Sequence, residues 1–232
     1  MRSLHQKKVR MQERCYIVEG EKSVLEGISH AFDDLELLVC LEAFVSEIPT
    51  HAHSKTQLIH QKELEQLSSL NTPNKCIAVF RQPETKVNDE GIIIALDGVQ
   101  DPGNMGAILR LADWFGASLV VCSSDTVDCF NTKVVQASMG AIFRIPVLYT
   151  NLEQYLIQSK LPKYGALLNG KHYKKIDYPN KAILVMGNEG NGIRKSIENC
   201  IDTAITIPRI GQAESLNVAT ATAILMAEIT TK

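Results

Sequence analysis

The chain has 232 residues, of which 45% are apolar and 22% charged, with a formal net charge of −2. That mixture supplies a core and excludes a wholly disordered chain. No apolar run approaches the roughly 18–20 residues of a membrane span, and near-neutrality leaves any nucleic-acid affinity to local patches.

The first such patch is the N-terminus. Arg2, Lys7, Lys8, Arg10 and Arg14 stand against the single acid Glu13 in residues 1–14. This run lacks the apolar stretch of a signal peptide, so a cytoplasmic location is expected. It reads as a short helix over 2–14, either a solvated face or an RNA contact. Then follow a strand at Tyr16–Val18, a helix at Glu21–Phe32, a strand at Leu37–Leu41, a helix at Lys62–Leu67 and a strand at Lys75–Phe80. The alternation predicts a small α/β domain over 1–85. The polar segment Arg81–Gly91 is the candidate linker.

A longer α/β alternation occupies 91–232. The apolar strand Ile92–Leu96 reads as a buried parallel strand. A helix Asn104–Phe115 follows, with Ile108, Leu111, Ala112 and Phe115 at helical spacing. Next come strands at Ser118–Cys122 and Ile145–Leu148 around a helix at Thr132–Met139. A helix at Leu152–Ser159, an extended stretch at Ala166–Leu168 and the apolar strand Ala182–Met186 continue the pattern. A helix at Ile193–Asn199, a strand at Ala204–Ile207 and a last helix at Leu216–Ile229 end it. The six cysteines are scattered with no C-x-x-C pair, and neither they nor the histidines show ligand spacing. Reduced thiols and no metal are therefore expected.

The strands ending at Leu96, Met186 and Ile207 each run into a glycine-bearing polar loop and then a helix. Ligands bind beyond the carboxyl ends of strands in open α/β sheets, so the three loops would build one site. In the first, Asp97–Gly106, Asn104 is the expected N-cap, and Arg110 falls off the apolar stripe of the helix. The second, Gly187–Gly192, lacks the lysine of a phosphate-binding P-loop and the G-x-G-x-x-G spacing of a dinucleotide site. Its Glu189 would repel an anion and suits a cationic or hydroxyl-bearing ligand. In the third, Pro208–Asn217, Ser215 is the expected cap of the last helix. The basic stretch Lys171-His-Tyr-Lys-Lys175 is a second candidate RNA contact, with a solvated loop as the alternative.

Taken together, LDGVQDPGNMGAILRLADWFGA (Leu96–Ala117), LVMGNEGNGI (Leu184–Ile193) and IPRIGQAESLNVATATAI (Ile207–Ile224) resemble the three signature motifs of the SpoU (TrmH-like) family of RNA 2′-O-ribose methyltransferases within the SPOUT superfamily. VVQASMGAIFRIPV (Val134–Val147) matches a further family stretch. KKVRMQERCYIVEGEKSVLEG (Lys7–Gly27) is similar to the small substrate-binding domain that many members carry. The chain departs from the pattern at Leu111, where many relatives have threonine, and at Trp114, where a small residue is common.

The resemblance implies a small N-terminal α/β substrate-binding domain followed by a trefoil-knotted methyltransferase domain with a mainly parallel sheet. It also implies a homodimer, with S-adenosylmethionine as cofactor. Asn169, Met186, Gly187, Ile207 and Leu216 would hold the cofactor. Catalytic and substrate roles would fall to Asn104, Arg110, Glu189, Ser215 and Asn217. The substrate would be a ribose 2′-hydroxyl, with ribosomal RNA ranked ahead of transfer RNA. Arginine stays protonated, so Arg110 is expected to stabilise the developing alkoxide rather than act as base. Two other classes remain open at this point. One is a catalytically silent RNA-binding assembly factor on the same fold. The other is a nucleotide-binding α/β enzyme, against which the missing phosphate-loop and dinucleotide patterns count.

Overall fold

The computed structural model describes residues 1–85, 87 and 90–231, so the linker candidate Arg81–Gly91 lies partly outside the described residues. The first half of the chain runs α1 (Lys7–Glu13), β1 (Cys15–Glu19), α2 (Glu21–His30), β2 (Leu35–Cys40), β3 (Thr56–Leu58), α3 (Gln61–Leu67) and β4 (Cys76–Arg81). The second half runs β5 (Ile92–Leu96), α4 (Pro102–Trp114), β6 (Leu119–Ser123), α5 (Thr132–Ser138), β7 (Val147–Thr150) and α6 (Leu152–Gln158). It continues with β8 (Lys163–His172), β9 (Ala182–Met186), α7 (Lys195–Glu198), β10 (Thr203–Thr206) and α8 (Val218–Thr230).

The chain forms two compact units: Met1–Glu84 with Asp128–Arg144, and Thr85–Val127 with Ile145–Lys232. The first unit therefore takes in α5, which lies far beyond residue 85 in sequence. Its sheet has the order β1-β4-β2-β3, antiparallel except for the β2–β3 pair. Alternation along the strands gives two apolar faces. Ile17, Val39, Ile77 and Val79 pack with Leu4 and Leu64. Tyr16 and Phe80 meet aromatic rings brought in by the late segment, with Tyr16–Phe130 centroids 4.6 Å apart and Phe80–Phe143 5.0 Å. A Cβ on Gly27 would strike the Phe80 and Phe143 rings, so glycine in α2 is what lets them close.

Arg10 corrects the reading of a uniformly solvated basic N-terminus. Its side chain is buried. It donates to Asp128 from Nε and Nη2 at 3.0 and 2.6 Å, and from Nη1 to the Leu4 and His5 carbonyls at 2.9 Å each. Arg2, Lys7, Lys8 and Arg14 remain exposed.

The second unit carries a six-stranded sheet in the order β10-β8-β9-β5-β6-β7, with every pair parallel. Burial on both faces explains why β5, β6 and β9 are buried at every position. One face packs Ile93, Ala95, Val121 and Ile183 against Leu152 and Leu156 of α6 and Ile197 of α7. α4 packs on α8.

Several boundaries differ from expectation. α4 begins at Pro102, with Asp101 as its cap, because the Asp101 carboxylate accepts from the Asn104 backbone N–H at 2.8 Å. Its buried positions include Met105 and Leu109, whereas Leu111 and Phe115 are half-buried. β8 is ten residues long rather than three. Its ladder with β10 steps from Ala204 opposite Gly165 to Ile205 opposite Lys171, skipping Ala166–Gly170. All six cysteines are free thiols.

Candidate active site

The first loop is tied to Arg194, two residues beyond the second, through one buried carboxylate. Asp97, 1% exposed, follows β5 directly. Its carboxylate accepts from the Arg194 backbone N–H at 2.7 Å and from the Arg194 Nε at 2.6 Å, with a further bond from Nη2. The other edge of the guanidinium reaches Asp125 at 3.2 Å. A hydrogen bond from Ser123, backbone hydrogen bonding at its own position and the Arg194 guanidinium together hold the Asp125 carboxyl below the usual range. The two carboxylates push the Arg194 guanidinium still higher, chiefly through its bond to Asp97. Sequence reasoning missed this triad. The available signal was a charged residue placed directly after an all-apolar strand, where a buried carboxylate requires a partner.

The second loop is closed by its own backbone. Asn188 N–H donates to the Gly192 carbonyl at 2.9 Å, and Gly192 N–H returns a bond at 3.0 Å. The Asn188 side chain accepts from the N–H groups of Gly190 and Asn191 and donates to the Gly98 carbonyl at 2.7 Å. Gly187 is required because a Cβ there would lie 2.5 Å from the Gly192 carbonyl oxygen. The close neighbour is thus the chain's own backbone. Gly192, at φ +68°, supplies the turn.

The third loop is exposed from Pro208 to Asn217. Asn217, not Ser215, caps α8: its Oδ1 accepts from the N–H groups of Ala219 and Thr220 at 3.0 and 3.2 Å. With Oδ1 so occupied, Nδ2 donates to Asn104 Oδ1 at 2.8 Å, and Asn104 Nδ2 donates to Glu189 Oε1 at 3.0 Å. A directional chain therefore runs from the α8 amides through Asn217 and Asn104 to the Glu189 carboxylate, joining one residue from each loop.

Beside it lies a cleft of about 750 Å³ at the carboxyl ends of β9 and β10 and the middle of β8. All five residues expected to hold a cofactor, Asn169, Met186, Gly187, Ile207 and Leu216, line this cleft. So do Glu189 and Ser215. Asn104 and Asn217 stand in the chain just described. Arg110 is exposed on α4, six residues after Asn104, and is not among the residues that line the cleft. The charged lining consists of Glu189, Glu198 and Glu214 with Arg209. That balance favours a cationic ligand whose remaining surface is apolar, since Ile205, Ile207 and Leu225 supply much of the wall. Among the described residues, no group of three metal-ligating side chains comes together.

Comparison with known proteins gives a consistent result. The SpoU rRNA Methylase family model matches residues 91–227, and the MRM3-like substrate binding domain model matches residues 1–78. The 23S rRNA (guanosine(2553)-2′-O)-methyltransferase RlmP of Bacillus subtilis is 35% identical over 231 residues, covering 97% of this chain and 92% of that protein. A solved structure from Porphyromonas gingivalis, assigned to the TrmH family, is 38% identical with a TM-score of 0.90, covering 98% of this chain and 94% of that one. The AdoMet-bound rRNA methyltransferase of Sinorhizobium meliloti is 29% identical with a TM-score of 0.89, covering 98% and 91%.

Proposed function

This chain belongs to the SpoU rRNA methylase family, and we propose that it transfers the methyl group of S-adenosylmethionine to a ribose 2′-hydroxyl of ribosomal RNA. The observation that carries the reading is the Asn217–Asn104–Glu189 chain beside an acid-rimmed, apolar-walled cleft. An acid rim suits the sulfonium cation, and the apolar wall suits the adenosine part of the cofactor. When bound, S-adenosylmethionine supplies an electrophilic methyl group whose leaving group is a neutral thioether.

The protein's own task is then alignment and charge. Asn169, Met186, Gly187, Ile207 and Leu216 hold the cofactor, and fixing the reacting groups in line contributes up to roughly 7–11 kcal/mol. Asn104, held by donors and acceptors on both sides, orients the ribose. Glu189 and Asn217 set the position of Asn104, and Ser215 touches RNA from the exposed third loop. Arg110 stabilises the developing alkoxide, and the proton passes to an RNA phosphate or to water.

Because Arg110 lies outside the residues lining the cleft, the proposal includes a homodimer in which each site takes residues from both copies. Exposure of Trp114 on α4, at 82%, supports an apolar subunit contact. The proposal also includes the family's trefoil knot, a cytoplasmic location, RNA binding by residues 1–85 and methyl transfer by residues 91–232. The test is tritiated-methyl transfer to 23S ribosomal RNA lacking the modification, followed by digestion to nucleosides. Label on a 2′-O-methyl ribose is expected. Label on a base, or none with cofactor bound, overturns the proposal.

A further inference from the structure

The segment Lys171–Lys175 does not line the cleft and takes no part in the Asn217–Asn104–Glu189 chain, yet it is an ordered basic turn carrying paired aromatic rings. Lys171, Lys174 and Lys175 are exposed, and no acid interrupts the five residues. The His172 and Tyr173 rings stack at 5.2 Å with their planes 13° apart, and Lys174 Nζ lies 5.8 Å from the Tyr173 ring centre. The turn is fixed from within. Lys174 N–H donates to His172 Nδ1 at 3.2 Å, and the Tyr178 hydroxyl donates to the Tyr173 carbonyl at 2.9 Å. The nearest acid in sequence, Asp177, is exposed two residues further on.

Lys171 and His172 pair with Ile205 and Thr206 of β10. The next residue, Ile207, opens the third loop and lines the cleft. The ladder skips Ala166–Gly170, and a Cβ on Gly170 would lie 2.7 Å from the Ala204 carbonyl. Glycine there lets β8 return to the ladder and present the basic turn on the same strand-end side as the cleft.

We propose that Lys171–Lys175 is an RNA contact within the methyltransferase unit, taking one unpaired nucleotide beside the ribose to be methylated. The base stacks on the His172–Tyr173 ring pair, and the flanking phosphates meet Lys171, Lys174 and Lys175. Stacking on an aromatic face requires an unpaired base, so a single-stranded or splayed target is implied. This inference rests on the methyltransferase reading for its substrate.

Three variants of the full chain test it: Tyr173→Ala, Tyr173→Phe, and Lys171, Lys174 and Lys175 replaced together by Ala. The probes are a short fluorescent single-stranded oligoribonucleotide and the same sequence in duplex. Tyr173→Ala should weaken single-strand binding about ten-fold, with Tyr173→Phe close to wild type and the duplex little affected. The lysine variant should reduce the salt slope by about 2, at roughly 0.7 per single-strand phosphate contact. Unchanged affinity and slope overturn the contact, and if wild type still methylates ribosomal RNA the reaction reading stands. A fall in S-adenosylmethionine affinity, or loss of dimer in sedimentation, assigns the segment to the cofactor or to the subunit contact and equally overturns it. If wild type binds RNA but transfers no methyl group, the reaction reading fails and the oligonucleotide data alone decide the contact.

Discussion

Arg110 and Arg194 are both arginines of the second unit, and their surroundings give them opposite duties. Arg194 is committed to two carboxylates and ties the first loop to the start of α7. Arg110 is exposed on the helix that starts the first loop's site. Replacing Arg110 by Ala should leave the fold and cofactor affinity near wild type, since exposed arginines contribute little to stability. Methyl transfer should fall about 10²–10³-fold in kcat, as for loss of a preorganised charge at a developing oxyanion. Arg110→Lys should recover only part, because the fork geometry is lost. Single-turnover transfer measures both, and a change confined to RNA KM would make Arg110 a binding residue. The Arg194 triad makes a separate acid-range prediction. The Asp125 carboxyl sits below its ordinary range, so its contribution is present above the unfolded pKa and disappears as pH falls through the folded value. Asp125→Asn should therefore lower Tm at neutral pH, and the gap from wild type should narrow as pH falls below the ordinary aspartate range. A gap that persists in acid would show that the carboxylate charge is not what matters there.

At the level of elements, the two strands read to the residue were Ile92–Leu96 and Ala182–Met186. Both lie inside a parallel sheet, where burial on two faces leaves an unbroken apolar run that the eye can bound. β3 and the three-residue reading of β8 show the limit. Exposed or half-buried strand residues carry no run and no clean alternation, and only pairing with a neighbour defines them. The caps show another limit. The first and third loops each offer a choice of cap, Asp101 or Asn104 in the first and Ser215 or Asn217 in the third, and composition does not choose between them. The structure chose Asp101 and Asn217, which releases the Asn104 side chain for Glu189. Asn217 thus does two jobs with two atoms, and they can be separated. Asn217→Ala should cost about 1 kcal/mol through the lost cap and should also reduce methyl transfer. Asn217→Asp keeps the accepting oxygen for the α8 amides but has no donor for Asn104. Stability should be retained while kcat falls. Thermal melts run beside transfer assays check this, and equal activity in Asn217→Asp would remove the Asn104 contact from the mechanism.

For the molecule as a whole, the sequence suggested a cut near residue 85, whereas the first compact unit also contains Asp128–Arg144. The physical reason is aromatic and ionic, and it is not visible in linear order. Phe130 and Phe143 complete the ring cluster with Tyr16 and Phe80, and Asp128 answers the buried Arg10. Truncation at residue 85 would strip those partners from 128–144, so a shortened chain is a poor test of what the first unit does for RNA. Point substitutions separate the two roles of the basic N-terminus. Arg10→Ala leaves Asp128 without its guanidinium and removes two carbonyl contacts, and loss of one partner of a buried pair costs about 3–5 kcal/mol. Lys7→Ala with Lys8→Ala removes exposed charges only, so stability should stay within about 0.5 kcal/mol of wild type. If the first unit holds RNA through this run, the double lysine variant should lower the salt slope of RNA binding by about 1.8 on duplex regions, at about 0.9 per phosphate. Urea unfolding and filter binding across salt concentrations measure the two effects independently. A lysine variant with an unaltered slope would leave the RNA contacts to other surfaces. An Arg10→Ala protein as stable as wild type would mean that the aromatic cluster alone holds the late segment in the first unit.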